Sequence, residues 1–359
     1  MEGFRVIAVA GTHGKTTTSA LLAHILTITG KSVSCFVGGV MKGYDSNYIS
    51  GTSDWVVVEA DEYDRSFLRL TPEVVVIQAM DADHLDIYGS HDMMLQAYRE
   101  LTLRIRPAGT LWIESTTAHD YLTYDWKTEL SDREVQIRTF GIESGDVRAE
   151  DVTVYNDSAR FKVFGEPNYT FSLTIPGDYN IRNALASIGV ASSFDLRYGE
   201  MASALSSFEG LERRYEKVGS GDDWVLISDY AHHPIELRSV IRATRELYPN
   251  QHLTVVFEPH LYTRTRDFLN EFALELGRAD TVILVELYPA REKPIVGINS
   301  QALLDQIDMI SKRLVSKNDI VDALSASSDG VILLLGAGDL YKYQGDILDR
   351  LEERDKSMR

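Results

Sequence analysis

The segment Gly11-Thr12-His13-Gly14-Lys15-Thr16-Thr17 holds the residue types best suited to chemistry. Glycines let backbone N–H groups wrap an anion, a lysine can reach the terminal phosphates of a nucleotide, and a threonine hydroxyl can hold Mg²⁺. The ligand this predicts is a nucleoside triphosphate. The loop is a variant, because the usual G-x-x-x-x-G-K-[ST] spacing asks for glycine where Val9 stands. Read without a ligand, the same stretch is a tight strand-to-helix turn with Lys15 in a solvated first helical turn.

Other polar groups stand at comparable places. Glu59 closes the apolar run 55–58 and is the best placed of its neighbours for a metal. Asp61, Glu62 and Asp64 follow it, and a solvated loop is a reasonable reading for Glu62 and Asp64. His84, after Asp81 and Asp83, could ligate a cation, although imidazole is an unusual partner for Mg²⁺. Asn180 and Asn183 are one helical turn apart and could read a purine edge, or cap a helix. Asp229-Tyr230-Ala231-His232-His233-Pro234 and Glu258-Pro259-His260-Leu261-Tyr262-Thr263-Arg264 add carboxylates, imidazoles and a guanidinium.

The elements that must position these groups alternate. An apolar run at 4–10 predicts a buried parallel strand, and 19–26 a helix. Strands are predicted at 32–37, 54–58, 73–80 and 110–113, with a glycine-rich loop lacking any period at 38–51 and a helix at 92–103. Segments 135–140, 148–155, 160–164 and 169–175 predict an antiparallel portion, followed by a helix at 180–194. From residue 212 the strand–helix alternation restarts, with strands at 224–228, 253–257, 281–285 and 331–335, the last closing on Gly336-Ala337-Gly338-Asp339. The prediction is an α/β chain of two domains. Residues 1–211 form a P-loop-type ATPase domain with an antiparallel β portion, and 212–359 a smaller doubly wound, Rossmann-like domain. The polar clusters fall at the C-terminal ends of strands, where open α/β sheets bind ligands.

Composition narrows the function. A net charge of −18 gives no electrostatic footprint for DNA or RNA, which excludes nucleic acid as the main partner. The single cysteine, Cys35, rules out an internal disulfide framework and suits a reducing compartment. No apolar run approaches the ~18 residues needed to span a bilayer, and the N-terminus lacks a secretory pattern, so a cytoplasmic location without membrane attachment is expected.

The motifs Gly11 to Thr17, Glu59-Ala60-Asp61-Glu62, Asp81-Ala82-Asp83-His84, Asn180-Ile181-Arg182-Asn183-Ala184-Leu185, Arg213-Arg214, Asp229 to Pro234 and Pro259 to Thr265, in this order, resemble the Mur ligases. Among them they are similar to the type that joins L-alanine to UDP-N-acetylmuramate in peptidoglycan synthesis. The family's loop is the shorter Gly-Thr-x-Gly-Lys-Thr form, which accommodates Val9. The resemblance implies that Lys15, with the loop residues Gly11, Thr12, His13, Gly14, Thr16 and Thr17, holds the phosphates of ATP. It implies that Thr16, Glu59 and His84 serve Mg²⁺. Asn180 and Asn183 would face adenine, Arg214 the terminal phosphate and Asp229 the ribose. Tyr230, His232, His260 and Arg264 would line the side where amino acid and muramyl carboxylate meet, with Lys15, His232, His260 and Arg264 carrying the chemistry.

The implied reaction is amide formation through an acyl phosphate. Three features depart from the family: Tyr179 replaces a histidine, Leu261 replaces an arginine common in the L-alanine ligases, and only three residues precede Phe4 where the family has an N-terminal UDP-sugar-binding domain. That domain is therefore expected to be absent and the chain inactive alone. Leu261 keeps a murein tripeptide recycling ligase open, and the short N-terminus a nucleotide-binding module without ligase activity. A P-loop GTPase is disfavoured by the lack of an Asn-Lys-x-Asp motif. The oligomeric state is not predicted.

Overall fold

Strand β1 (Arg5–Ala10) is apolar on both faces, as a parallel strand covered on each side by other elements must be. Ile7 and Val9 pack with α1 (Lys15–Ile28), while Val6, Ala8 and Ala10 pack on the opposite side with Val75, Ile77 and Tyr98. The computed structural model describes residues 3–83, 85–155, 158–325 and 329–358. It divides into two units, Met1–Leu211 and Glu212–Arg359.

The first unit is built on one sheet of ten strands. After β1 come β2 (Ser34–Met41), β3 (Ser46–Ile49), β4 (Trp55–Glu59), β5 (Val74–Ile77), β6 (Thr110–Glu114), β7 (Gln136–Gly141), β8 (Val147–Tyr155), β9 (Ser158–Val163) and β10 (Glu166–Leu173). Their spatial order is β10-β9-β8-β7-β6-β5-β1-β4-β2-β3. β1 pairs parallel with β4 on one side and β5 on the other. The chain therefore leaves β1 in one direction and later resumes in the other, and the C-terminal end of β1 is the topological switch point of this sheet.

Two expectations are corrected. Residues 38–51 are not a structureless loop: β2 runs on to Met41 and pairs antiparallel with β3. Gly38 and Gly39 and a register irregularity between Phe36 and Met41 break the alternation by which a strand is recognised. The segment at 135–140 is not antiparallel, because β7 pairs parallel with both β6 and β8. Helices Ser115–Tyr121 and Tyr124–Asp132 form the crossover that a parallel connection requires. Antiparallel pairing begins only at β8, which joins β9 and then β10.

In the second unit, β11 (Glu216–Ser220), β12 (Trp224–Asp229), β13 (Leu253–Phe257), β14 (Thr281–Leu284), β15 (Lys312–Leu314) and β16 (Gly330–Leu335) take the order β11-β12-β16-β13-β14-β15. All pairings are parallel except the edge strand β11. This is a doubly wound sheet, and β16 inserted between β12 and β13 puts three strand ends side by side. Among the described residues no helix is long and apolar enough to cross a membrane.

Helix Asp178–Ser192 covers the first sheet closely enough that its Gly189 meets the indole of Trp112 on β6. A Cβ there would stand 2.8 Å from Trp112 Cζ3. Gly189→Ala is expected to cost about 1–3 kcal/mol by overpacking, read from denaturant unfolding; unchanged stability would contradict this packing.

Candidate active site

The loop from β1 to α1 is anchored to the end of β5. Thr12 N–H donates to the Ala79 carbonyl at 3.0 Å, and Thr12 Oγ1 accepts from Asp81 N–H at 3.1 Å. His13 Nε2 lies 3.6 Å from Asp81 Oδ2, and Thr17 is buried. Gly14 caps α1 with φ +80°, and a Cβ at this position would sit 2.5 Å from Asn183 Oδ1. Only glycine satisfies both demands. Gly14, which has no side chain to cap α1, precedes its first turn, and the N–H groups of a helix's first turn are of the kind that bind an anion.

Lys15 Nζ donates to the Gly11 carbonyl at 2.7 Å and to Glu62 Oε1 at 2.9 Å. Burial works against the Lys15 ammonium, but Glu62, with Glu59 and Asp61, more than offsets it, so the lysine holds its proton more tightly than usual. Thr16 Oγ1 donates to Glu59 Oε1 at 2.9 Å, while Glu59 Oε2 accepts from Gly38 N–H at 2.6 Å. One hydroxyl and one carboxylate, from the ends of different elements, are hard oxygen donors of the kind Mg²⁺ takes when phosphates and water complete its shell. His84 lies outside the described residues.

Glu62 overturns its reading as a solvated loop acid. It has no solvent exposure and faces the lysine of the phosphate loop. Its neighbours Asp61 and Asp64 are exposed, and nothing in the acidic run singles out the one carboxylate that turns inward.

The two asparagines share one hydrogen-bonded network. Both are buried in helix Asp178–Ser192. Asn180 Nδ2 donates to the Pro176 carbonyl at 2.8 Å and Asn183 Nδ2 to Asn180 Oδ1 at 3.1 Å. Asn183 Oδ1 accepts from Thr18 Oγ1, which accepts in turn from Gln78 Nε2 at 2.6 Å. These bonds tie the helix to α1 behind the loop. Thr18 and Gln78 belong to this network, and no motif in the sequence marks them.

In the second unit the polar residues gather at the ends of β12, β13 and β16. Asp229 is buried, and its Oδ2 and Oδ1 accept from the N–H groups of Tyr215 and Ala231 at 2.6 and 2.7 Å. Burial pushes its carboxyl up to about 6, against the pull of Arg214 and these two donors. Arg213 and Tyr215 both take left-handed backbone conformations, φ 57° and 47°, so the Asp229 carboxylate holds the turn that carries Arg214. The guanidinium carbons of Arg213 and Arg214 lie 4.6 and 4.9 Å from the Tyr230 ring. Arg213 Nη2 also donates to the Gly336 carbonyl at 2.7 Å, fixing the Gly-Ala-Gly turn.

Tyr230, His232, His260 and Tyr288 form a row of rings. His232 lies edge-on to Tyr230 and His260, at 5.3 and 6.0 Å, and His260 stacks on Tyr288 at 5.6 Å. His232 Nδ1 donates to the Tyr230 carbonyl at 2.9 Å and lies 3.4 Å from Glu236 Oε2. Burial, then the charges of Arg264 and Arg291, bring His260 down to about 4, so its ring is neutral at physiological pH. Leu261 is buried with φ +69°, a costly conformation for a branched side chain that here turns the chain into helix Tyr262–Asp267. The structure thus brings Gly11 to Thr17 together with Glu59 in one unit, and Arg214, Asp229, Tyr230, His232, His260 and Arg264 into the strand-end region of the other.

Comparison with known proteins gives a consistent result. The model of the Mur ligase middle domain matches residues 9–191, and that of the Mur ligase, glutamate ligase domain matches residues 213–338. The UDP-N-acetylmuramate–L-alanine ligase of Flavobacterium psychrophilum is 39% identical over 348 residues, covering 97% of this chain and 75% of the relative. The crystal structure of UDP-N-acetylmuramate–alanine ligase MurC from Thermotoga maritima superposes with a TM-score of 0.80 at 27% identity, over 98% of this chain and 76% of that one. A murein peptide ligase from Psychrobacter arcticus shares the fold, with a TM-score of 0.69 at 22% identity, over 98% and 78% of the two chains.

The environment of His260 makes a measurable claim. Its ring should titrate near pH 4 in the folded protein, against about 6.5 for a free histidine, in NMR of ¹⁵N-labelled histidines. Between these values the unfolded chain takes up a proton that the folded chain does not, so this group withdraws stability as pH falls through about 6.5. A midpoint near 6.5 would contradict the buried, cation-flanked position.

Proposed function

The chain belongs to the Mur ligase family, and from that premise we propose that it joins L-alanine to the carboxylate of UDP-N-acetylmuramate in peptidoglycan synthesis, with ATP converted to ADP and phosphate. The observation that carries the mechanism is the convergence of Lys15, Thr16 and Glu59 at the switch point of the first sheet. A carboxylate oxygen of the muramyl substrate attacks the γ-phosphorus, the bond to the β-phosphate oxygen breaks, and ADP departs. The amine of L-alanine then attacks the acyl carbon, phosphate leaves, and the amine gives up a proton.

Lys15 and the first-turn N–H groups of α1 neutralise the charge on the transferring phosphoryl group, so this chain's part in the first step is positioning and electrostatics. Thr16 and Glu59 would hold Mg²⁺, which supplies charge neutralisation at the phosphates. Arg214, on the turn that Asp229 orders, would meet the terminal phosphate. The rings of Tyr230, His232 and His260, with Arg264, would receive the amino acid and the acyl group. A histidine held at about 4 is a poor proton acceptor, so of the two imidazoles His232 would take the amine proton. A reaction that consumes ATP and a nucleotide sugar implies the cytoplasm.

A second reading, ligation of a murein tripeptide, is supported by Leu261, whose buried apolar side chain puts no charge beside His260. Phosphate release by the protein separates the readings. It should require both UDP-N-acetylmuramate and L-alanine; faster release with the tripeptide would favour the recycling reaction, and release indifferent to either acceptor would defeat ligation.

A further inference from the structure

We propose that Glu62 is the resident counter-ion of the phosphate-binding lysine and parks Lys15 against the floor of the loop until a triphosphate draws the ammonium away. This rests on the reading of Lys15 as the residue that meets the β- and γ-phosphates. Glu62 is fully buried, 47 residues along the chain from the lysine it contacts. Its backbone is fixed independently: the Glu62 carbonyl accepts from Tyr88 OH at 2.6 Å and from Arg65 N–H at 3.0 Å. Two of the three donors of Lys15 are thereby directed into the protein, toward Gly11 and Glu62, and not toward a ligand.

The arrangement has two consequences. Without nucleotide, the ion pair keeps a largely buried cation compensated and the loop in its binding shape. With nucleotide, the Glu62 charge stays near the phosphates and competes with them for the lysine, so affinity for a polyphosphate is lower than the loop alone would give. Glu62 acts through Lys15 and is a positioning residue. Its effect grows with the phosphates that Lys15 must reach, and a nucleoside monophosphate escapes it.

The test is calorimetric binding of ATP and of AMP to the wild-type chain and to Glu62→Gln, which keeps the shape and removes the charge. ATP should bind the variant about tenfold more tightly relative to AMP than it binds the wild type. An ATP-to-AMP affinity ratio that is unchanged or smaller would overturn the proposal, since loss of a merely structural contact weakens both together. If the wild type does not bind ATP, it is the triphosphate reading of the loop that fails. Should Glu62→Gln not fold, thermal unfolding of Lys15→Met alone and with Glu62→Gln decides: the double variant should melt several degrees higher, and equal or lower melting would overturn the proposal.

Discussion

A lysine ammonium inside a protein needs a compensating charge, and much of the first unit can be understood from how Lys15 obtains it. Isolated, a buried cation costs several kcal/mol, and breaking a buried pair by removing one partner costs about 3–5 kcal/mol. The carboxylate of Glu62 meets the need directly, and Glu59 adds charge from the neighbouring strand end. These acids reach the loop because β4 lies beside β1 and both end at the same level. The network Gln78, Thr18, Asn183 and Asn180 braces the loop from behind, and it leaves no room for a Cβ at Gly14, which would stand 2.5 Å from Asn183 Oδ1.

The second unit meets its own constraint with backbone donors. Asp229 is also buried, but its carboxylate is held by two N–H groups, one from the turn bearing Arg213 and Arg214 and one from the segment bearing Tyr230 and His232. A single carboxylate therefore sets the relative placement of a cation and a row of rings. The same economy appears at His260, where burial and nearby guanidinium groups keep the ring neutral and Tyr288 fixes its plane.

Much of this was legible in the sequence. The strand–loop–helix at Gly11 to Thr17 and the acid at the end of β4 follow from apolar runs that stop at polar residues, a signal that survives because parallel strands must be buried on both faces. The β2–β3 hairpin was illegible because glycines and a register shift erase its alternation, and β7 because its pairing direction depends on a crossover with weak periodicity. Glu62 was hidden for a different reason: one acid among several at a strand end differs from its neighbours only in the direction its side chain takes. Asn180 and Asn183 showed the correct spacing for one shared face, but nothing in the sequence marks Thr18 and Gln78 as members of the same network.

The central claim is that Lys15 supplies the charge that holds a triphosphate at the end of β1. The most direct measurement is equilibrium binding of ATP to Lys15→Ala in the Glu62→Gln background, where no buried carboxylate is left unpaired, compared with Glu62→Gln alone. The account predicts that affinity falls about a hundredfold, close to 2.8 kcal/mol, with the fold retained by circular dichroism. Equal affinity in the two proteins would contradict it.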